Sequence, residues 1–242
     1  MREPNLDKLN ELVGSLVGDL GAAIAGASIL LGDRLGLYKA MADGAAVTSS
    51  ELAKKTGLHE RYVREWLSGQ AASGYINYDA EKNAFSLSPE QAMTFAEEGS
   101  PAFFAGAFDV VQATYLDEPK VAEAFRTGKG VGWHEHSKCL FSGTERFFRP
   151  GYNANLVSNW IPALDGVEEK LKAGAKVADV GCGHGASAIV MAQAYPNSRF
   201  FGFDYHAPSI ERAKVAAKEA GVEKRITFAQ ATPRISPLTA MT

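Results

Sequence analysis

The 242-residue chain is poor in cysteine, has no long apolar run and carries no excess of basic residues. Its two cysteines, Cys139 and Cys182, are too few for a disulfide framework and are consistent with a reducing cytoplasm. The longest apolar run, residues 21–32, is shorter than the ~20 residues that a bilayer span needs. Four acids among the first twenty residues argue against a signal peptide. We therefore expect a cytoplasmic protein without a membrane segment.

The charge balance gives no sign of a nucleic-acid partner. Twenty-five Lys and Arg face 28 Asp and Glu, so the formal net charge is −3. A nucleic-acid-binding protein needs basic side chains clustered on one surface. With 46% hydrophobic residues, the chain can instead bury one large core or two modest ones.

The most informative stretch is KVADVGCGHG, residues 176–185. Its apolar beginning predicts a buried parallel strand made by Val177, Ala178 and Val180, and its three alternating glycines predict a loop. A loop of this kind lets the backbone approach a ligand where a Cβ atom would collide. Residues 186–195 then predict a helix whose free N–H groups face the same place. The pattern is typical of a nucleotide-type pocket.

Two classes of nucleotide site fit the glycine spacing. Gly181-x-Gly183-x-x-Ala186 also satisfies a loose dinucleotide fingerprint, and Asp204, at the end of a second predicted strand, suits a ribose in either class. Asp179 separates them, because a carboxylate two residues before the first glycine repels a pyrophosphate and attracts an ammonium or sulfonium group. This favours a cationic ligand.

VADVGCGHG and the later FFGFDYH resemble the first two motifs of class I S-adenosylmethionine-dependent methyltransferases. LGDRLGLYKAM, ERYVREWLSGQAASGYI and LFSGTERFFRPGY resemble a bacterial family of these enzymes with an N-terminal winged-helix domain, so the similarity covers nearly all of residues 5–230. The implied fold class is α/β. A helical winged-helix domain over residues 1–96 and a helical connector and lid over 97–165 would precede a partial Rossmann-like domain over 166–242.

The resemblance implies S-adenosylmethionine as cofactor, a small-molecule methyl acceptor and a homodimer formed through the N-terminal domain. It places residues just past the third strand, Ala231 and Thr232, beside the adenine. The residues it assigns to cofactor binding are Asp179, Gly181, Cys182, Gly183, Gly185, Asp204 and Tyr205.

The N-terminal part is expected to be helical. An apolar seam over residues 5–20 predicts a first helix, which either packs on its own domain or forms a dimer contact, and residues 21–42 predict a second. A capping box from Thr48 to Glu51, a helix over 59–73 and a hairpin over 75–87 predict a winged helix. The alternative function is therefore a dimerising or DNA-binding regulator that has lost catalysis. Arg61 and Arg64 would contribute little to DNA binding, since neighbouring acidic residues offset their charge.

The connector carries the candidates for chemistry. If residues 133–136 are extended, His134 and His136 project to one side and either serve as base and substrate contact or cap structure. No third ligand accompanies them, so we predict no metal site. The aromatic residues Trp133, Phe147, Phe148 and Tyr152 form either a core or a substrate wall.

The end of the sequence is expected to be incomplete. Three strands joined by helices predict parallel order 3-2-1, whereas the resembled fold continues through four more strands. The sequence thus predicts a truncated methyltransferase with one pocket wall missing, and it leaves open the activity of the chain alone, the acceptor and the identity of the base.

Overall fold

The computed structural model describes residues 3–231 and divides into two compact units, whose described parts are residues 3–112 and 113–231. The prediction for Thr232 and for the tail after it lies outside the described residues. The predicted boundaries at residues 96 and 165 remain predictions, and each unit is described by itself below.

The first unit is helical with one small hairpin. Its elements are α1 (Leu6–Arg34), α2 (Leu37–Ala40), α3 (Ser49–Thr56), α4 (Glu60–Ala72), β1 (Asn77–Asp79), β2 (Ala84–Ser86) and α5 (Pro89–Phe95). Strands β1 and β2 pair in antiparallel register, with Tyr78 opposite Phe85. The predicted order of helix, helix and hairpin is thus confirmed.

Capping and packing explain these elements. The Thr48 hydroxyl accepts the Glu51 N–H at 3.3 Å, and the Glu51 carboxylate accepts the Thr48 N–H at 2.8 Å, as the capping-box prediction requires. The apolar faces of α3 and α4 meet in a core around Leu52 and Leu67, both fully buried. Burial of this apolar surface, rather than helix propensity, stabilises such short helices.

The predicted break between two N-terminal helices is wrong. Residues 6–34 form one continuous helix, because Gly21 costs only about 1 kcal/mol inside a helix of good helix formers. By length and composition this is the one helix of the described residues that could span a bilayer, with a mean hydropathy of 1.6 over its most apolar window. A single apolar helix near a chain start is also what a helix that packs on protein looks like, so it does not indicate a membrane protein.

The second unit surrounds a parallel sheet. After α6 (Ala107–Thr127) come a 3₁₀ turn (Trp133–Glu135), α7 (Lys138–Asn155), a π-helical turn (Leu156–Trp160) and α8 (Val167–Ala173). The sheet region follows as β3 (Lys176–Val180), α9 (Ala186–Ala194), β4 (Arg199–Asp204), α10 (Ala207–Glu219) and β5 (Ile226–Gln230).

The three strands are parallel in the order β3-β4-β5, which confirms the predicted 3-2-1 order. Helices α9 and α10 bury Ala188, Ala192, Ile210 and Ala213 together with Phe200 of β4. The prediction that β3 is fully buried is wrong, because Val180 is 66% exposed. In the described sheet β3 pairs only with β4, so it lacks a neighbour that would cover it.

Two features of the connector are set by its local backbone contacts. Pro119 lies inside α6 without interrupting it, since a proline removes one N–H from the helical ladder and leaves the other bonds in place. Residues 133–135 are not extended. The Glu135 carboxylate accepts the Gly132 N–H at 2.5 Å and the Glu135 N–H donates to the Gly132 carbonyl, which closes a 3₁₀ turn.

Candidate functional site

A cavity of about 390 Å³ opens at the carboxyl ends of β3 and β4, within the second unit. This is where parallel sheets of α/β proteins usually bind ligands. Most predicted cofactor residues line it: Asp179, Gly181, Cys182, Gly183, Asp204 and Tyr205. Gly185 is placed differently, as the residue that caps α9 just behind the loop.

The glycine loop owes its shape to backbone conformations that only glycine adopts easily. Gly181, Gly183 and Gly185 have φ values of +79°, +53° and +79°. The N–H groups of Gly181 and Cys182 both donate to the Phe203 carbonyl, at 2.7 and 3.1 Å, which fixes the loop to the end of β4. Among residues 3–231, no atom lies within 4 Å of a Cβ built on Gly183, so the loop leaves open space there.

Asp204 organises the loop from the neighbouring strand. Its carboxylate accepts the Gly183 N–H at 3.0 Å and the His206 N–H at 2.9 Å, and the residue is 9% exposed. Each carboxylate oxygen can accept a further hydrogen bond, so these contacts leave capacity for a ligand hydroxyl. Asp204 thus has both a structural contact and room for a binding one.

Asp179 is a half-buried carboxylate that lines the cavity. The Ser187 hydroxyl donates to it at 2.7 Å. Burial raises the pKa of Asp179 above its usual range, and the nearby charge of Asp204 raises it further. Within residues 3–231 neither carboxylate has a cationic side-chain partner. A ligand with an ammonium or sulfonium group would relieve this repulsion.

The two candidate histidines diverge instead of sharing one side. The His134 N–H donates to the Tyr205 hydroxyl at 3.2 Å, and its ring meets the Tyr205 ring edge-on at 5.9 Å. The His136 Nδ1 lies 2.9 Å from Asp117, a buried carboxylate. Neither histidine lines the cavity, because the 3₁₀ turn rotates the two rings away from each other.

The aromatic prediction divides in a similar way. Trp133, Phe148 and Tyr152 line the cavity, whereas Phe147 does not and packs edge-on against Phe148 at 5.1 Å. α7 is a continuous helix, so Phe148 and Tyr152 fall on one face and Phe147 turns away. The substrate-wall interpretation therefore suits three of the four residues.

Sequence reasoning missed a charged pair in this cavity. Glu145 of α7 and His184 of the glycine loop both line it, and Glu145 Oε2 lies 2.8 Å from His184 Nδ1. Each side chain is 14% exposed. The hydrogen bond from His184 lowers the pKa of Glu145 below its usual value, so this carboxylate is ionised at neutral pH. No local motif joins residues 39 positions apart, and only the fold reveals the pair.

In the first unit, α4 offers no basic face. The Arg61 guanidinium lies 2.9 Å from Glu65, and that of Arg64 lies 3.6 Å from Glu60, each one helical turn away. A helix that binds phosphates needs positive charge that such acids do not offset.

Comparison with known proteins identifies both halves of the chain. Residues 22–97 match the family described as the Rv2258c-like winged HTH domain, and residues 171–233 match a methyltransferase domain. The chain carries a winged helix–turn–helix domain and a methyltransferase domain. This confirms the predicted family resemblance and the fold class.

Solved structures agree at the level of the fold. Mitomycin 7-O-methyltransferase MmcR matches 94% of the chain with a TM-score of 0.65 and 16% identity. An O-methyltransferase family protein from Burkholderia thailandensis matches 96% with a TM-score of 0.60 and 15% identity, and CalO1, a methyltransferase in calicheamicin biosynthesis solved with SAH, matches 96% with a TM-score of 0.58 and 17% identity. The chain covers 68%, 65% and 68% of these three proteins, about two-thirds of their length.

A curated relative matches a short part of the chain. The tRNA (guanine-N(7)-)-methyltransferase of Aliivibrio salmonicida is 46% identical over 46 residues, which is 19% of each protein. A match of this length supports the methyltransferase domain and does not transfer the relative's substrate.

Proposed function

We propose that this chain belongs to an S-adenosylmethionine-dependent methyltransferase that acts on a small molecule. The observation that carries the proposal is that Asp179 and Asp204, from neighbouring strands, face one cavity together with the glycine loop. The methyltransferase-domain match favours this function over that of a winged-helix regulator without catalysis. The paired arginines of α4 count further against DNA binding.

The residues of the cavity suit the cofactor chemically. Its sulfonium and ammonium groups would offset the two carboxylates, whose mutual repulsion adds to burial in raising the pKa of Asp179. We assign the ammonium end to Asp179 and the ribose hydroxyls to Asp204. The loop backbone at Gly181, Cys182 and Gly183 would border the cofactor, because two of these three residues have no side chain that would keep the cofactor away.

When bound, S-adenosylmethionine supplies the methyl group, so the protein mainly has to align an acceptor and exclude water. Trp133, Phe148 and Tyr152 form the apolar wall on which we place the acceptor. Proton removal from the acceptor requires a base. His134 and His136 remain the proposed candidates, although a rearrangement of the 3₁₀ turn would have to bring one of them to the cavity.

Calorimetric titration with S-adenosylhomocysteine tests the proposal. We expect binding by the intact chain and a loss of at least about 100-fold in Asp204→Ala, since this change removes a ligand contact and the anchor of Gly183. Asp43→Ala, an exposed acid of the first unit, is the matched control and should bind normally. Absence of heat with the intact chain would contradict the proposal.

We also propose that the protein is a homodimer held by α1, and that it works in the cytoplasm. The beginning of α1 exposes an apolar stripe, and a dimer contact would remove this surface from water. The stripe consists of Leu6, Leu9, Leu12, Val13, Leu16, Val17 and Leu20. Leu12→Lys together with Leu16→Lys should convert a dimer to a monomer in light scattering. Val215→Lys, an equally exposed apolar residue of α10, is the control, and a monomeric unmodified chain would refute the dimer.

A further inference from the structure

The charges around the cavity are unbalanced. Three carboxylates line it, those of Glu145, Asp179 and Asp204. Of the lining residues that the structure describes, only His184 can carry a positive charge. A ligand that brings its own carboxylate would be repelled by three negative groups unless this histidine receives it.

The position of His184 suits that task. It lies between Gly183 and Gly185, in the loop whose backbone has the positive φ values described above. Glu145 is ionised and accepts only, so the His184 Nδ1 must be the hydrogen-bond donor of the 2.8 Å contact. The Nε2 atom has no protein partner among residues 3–231 and is left for a ligand.

The start of α9 adds donors beside this ring. The helix begins at Ala186, two residues after His184, and its cap residue Gly185 provides no side-chain acceptor for the first N–H groups. Such groups favour anions. A carboxylate placed here would lie beside the His184 ring and the first backbone N–H groups of α9.

We propose that His184, oriented by Glu145, binds the carboxylate at the amino-acid end of the cofactor. This inference rests on the proposed methyltransferase function. His184 donates Nδ1–H to Glu145 and Nε2–H to the ligand carboxylate, which requires a proton on both ring nitrogens in the complex, and Glu145 is a positioning residue that fixes the ring through Nδ1. The arrangement separates the two charges of the amino-acid end, with Asp179 on the ammonium and His184 on the carboxylate.

Two ligands that differ by one group test this assignment. S-adenosylhomocysteine carries the carboxylate, and its decarboxylated form, S-adenosyl-3-thiopropylamine, keeps the ammonium and lacks only the carboxylate. Affinities are measured by calorimetry, with competition where binding is weak. We expect the intact chain to prefer S-adenosylhomocysteine by about 10–100-fold, the range for a hydrogen bond between charged groups.

In His184→Asn that preference should fall at least about fivefold, to what the α9 backbone N–H groups alone supply, while the affinity for the decarboxylated ligand stays within a factor of two or rises. Glu145→Gln should lower the preference by less, because it misorients the ring without removing it. His59→Asn, the same exchange in the first unit, should behave like the intact chain. Circular dichroism and thermal unfolding confirm that each variant is folded. If His184→Asn does not fold, the inference is tested by the fall in carboxylate preference in Glu145→Gln.

Each other result has a distinct meaning. If the intact chain binds neither ligand, the proposed function fails and the inference fails with it. If it binds both equally well, the carboxylate is not recognised and the inference alone is wrong. If His184→Asn weakens both ligands by the same factor, or weakens neither, His184 has no specific role toward the carboxylate and the inference is overturned.

Discussion

Substituting alanine for Gly185 should destabilise the second unit more than the same change two residues earlier. A Cβ on Gly185 would lie 2.5 Å from Cζ of Phe228 and 3.2 Å from Cβ of Ala213. A Cβ on Gly183 meets nothing within 4 Å. Both glycines have positive φ, so both substitutions strain the backbone by about 1–2 kcal/mol. Only Gly185→Ala adds overpacking, which costs about 1–3 kcal/mol.

The difference between the two variants isolates the packing. It amounts to about 2 kcal/mol, or about 1 M in the urea midpoint for an m-value near 2 kcal/mol/M. Urea unfolding followed by tryptophan fluorescence measures it, since Trp133 and Trp160 both belong to the second unit. Gly183→Ala should instead weaken S-adenosylhomocysteine binding, because its methyl group enters the open space of the cavity.

A second substitution tests the cause. Phe228→Leu removes the ring atoms that a Cβ on Gly185 would strike, so Gly185→Ala should cost less in that background than in the unmodified chain. Such a cycle reads out the contact itself. Equal costs for Gly183→Ala and Gly185→Ala, or no relief from Phe228→Leu, would refute the reasoning.

Two further predictions concern titrating groups. Burial raises the pKa of Cys182 to about 12, so at pH 8 iodoacetamide should modify Cys139 and leave Cys182 intact in the folded chain. Peptide mass spectrometry measures the two alkylation rates, and equal rates for the two cysteines would contradict this prediction. Lys120 and Ser137 hold the pKa of Asp117 far below its ordinary value of 3.8, so this carboxylate stabilises the fold at neutral pH and ceases to do so as pH falls below that value. Asp117→Asn should lower the Tm at pH 7 by several degrees and flatten its decline below about pH 4, where the unfolded carboxyl is protonated and the native one is still ionised, and parallel Tm curves for the two proteins would rule this out.

Local patterns were enough to predict much of the fold. The capping box at Thr48 and the alternation of strand and helix after residue 176 depend on neighbours within a few positions. The parallel order of the strands then follows from the handedness of helical connections. By contrast, the division between residues 20 and 21 follows a change of apolar pattern, and the continuous helix α1 runs through it.

The cavity could be predicted only in part, and the reason is geometric. Asp179 is the penultimate residue of β3 and Asp204 the last residue of the adjacent parallel strand β4, so sequence order alone brings them together. The orientation of residues 133–136 depends on the contact between the Glu135 carboxylate and the Gly132 N–H. The spacing of apolar and polar residues does not predict this contact. The same pattern that suggested two histidines on one side thus gives two unrelated contacts.

α7 has the largest influence on the site and the weakest signature in the sequence. As a cluster of aromatic and basic residues in the sequence, it predicts a substrate wall but not which side chains face the cavity. As a helix it turns Phe148 and Tyr152 toward the cavity, and Glu145 reaches the glycine loop from the same helix. The acceptor wall and the cofactor loop are therefore joined through one half-buried hydrogen bond. A substitution at Glu145 should for this reason alter the positions of both the glycine loop and the aromatic wall. If the wall were held by aromatic contacts alone, a change in α7 would leave the glycine loop unaffected.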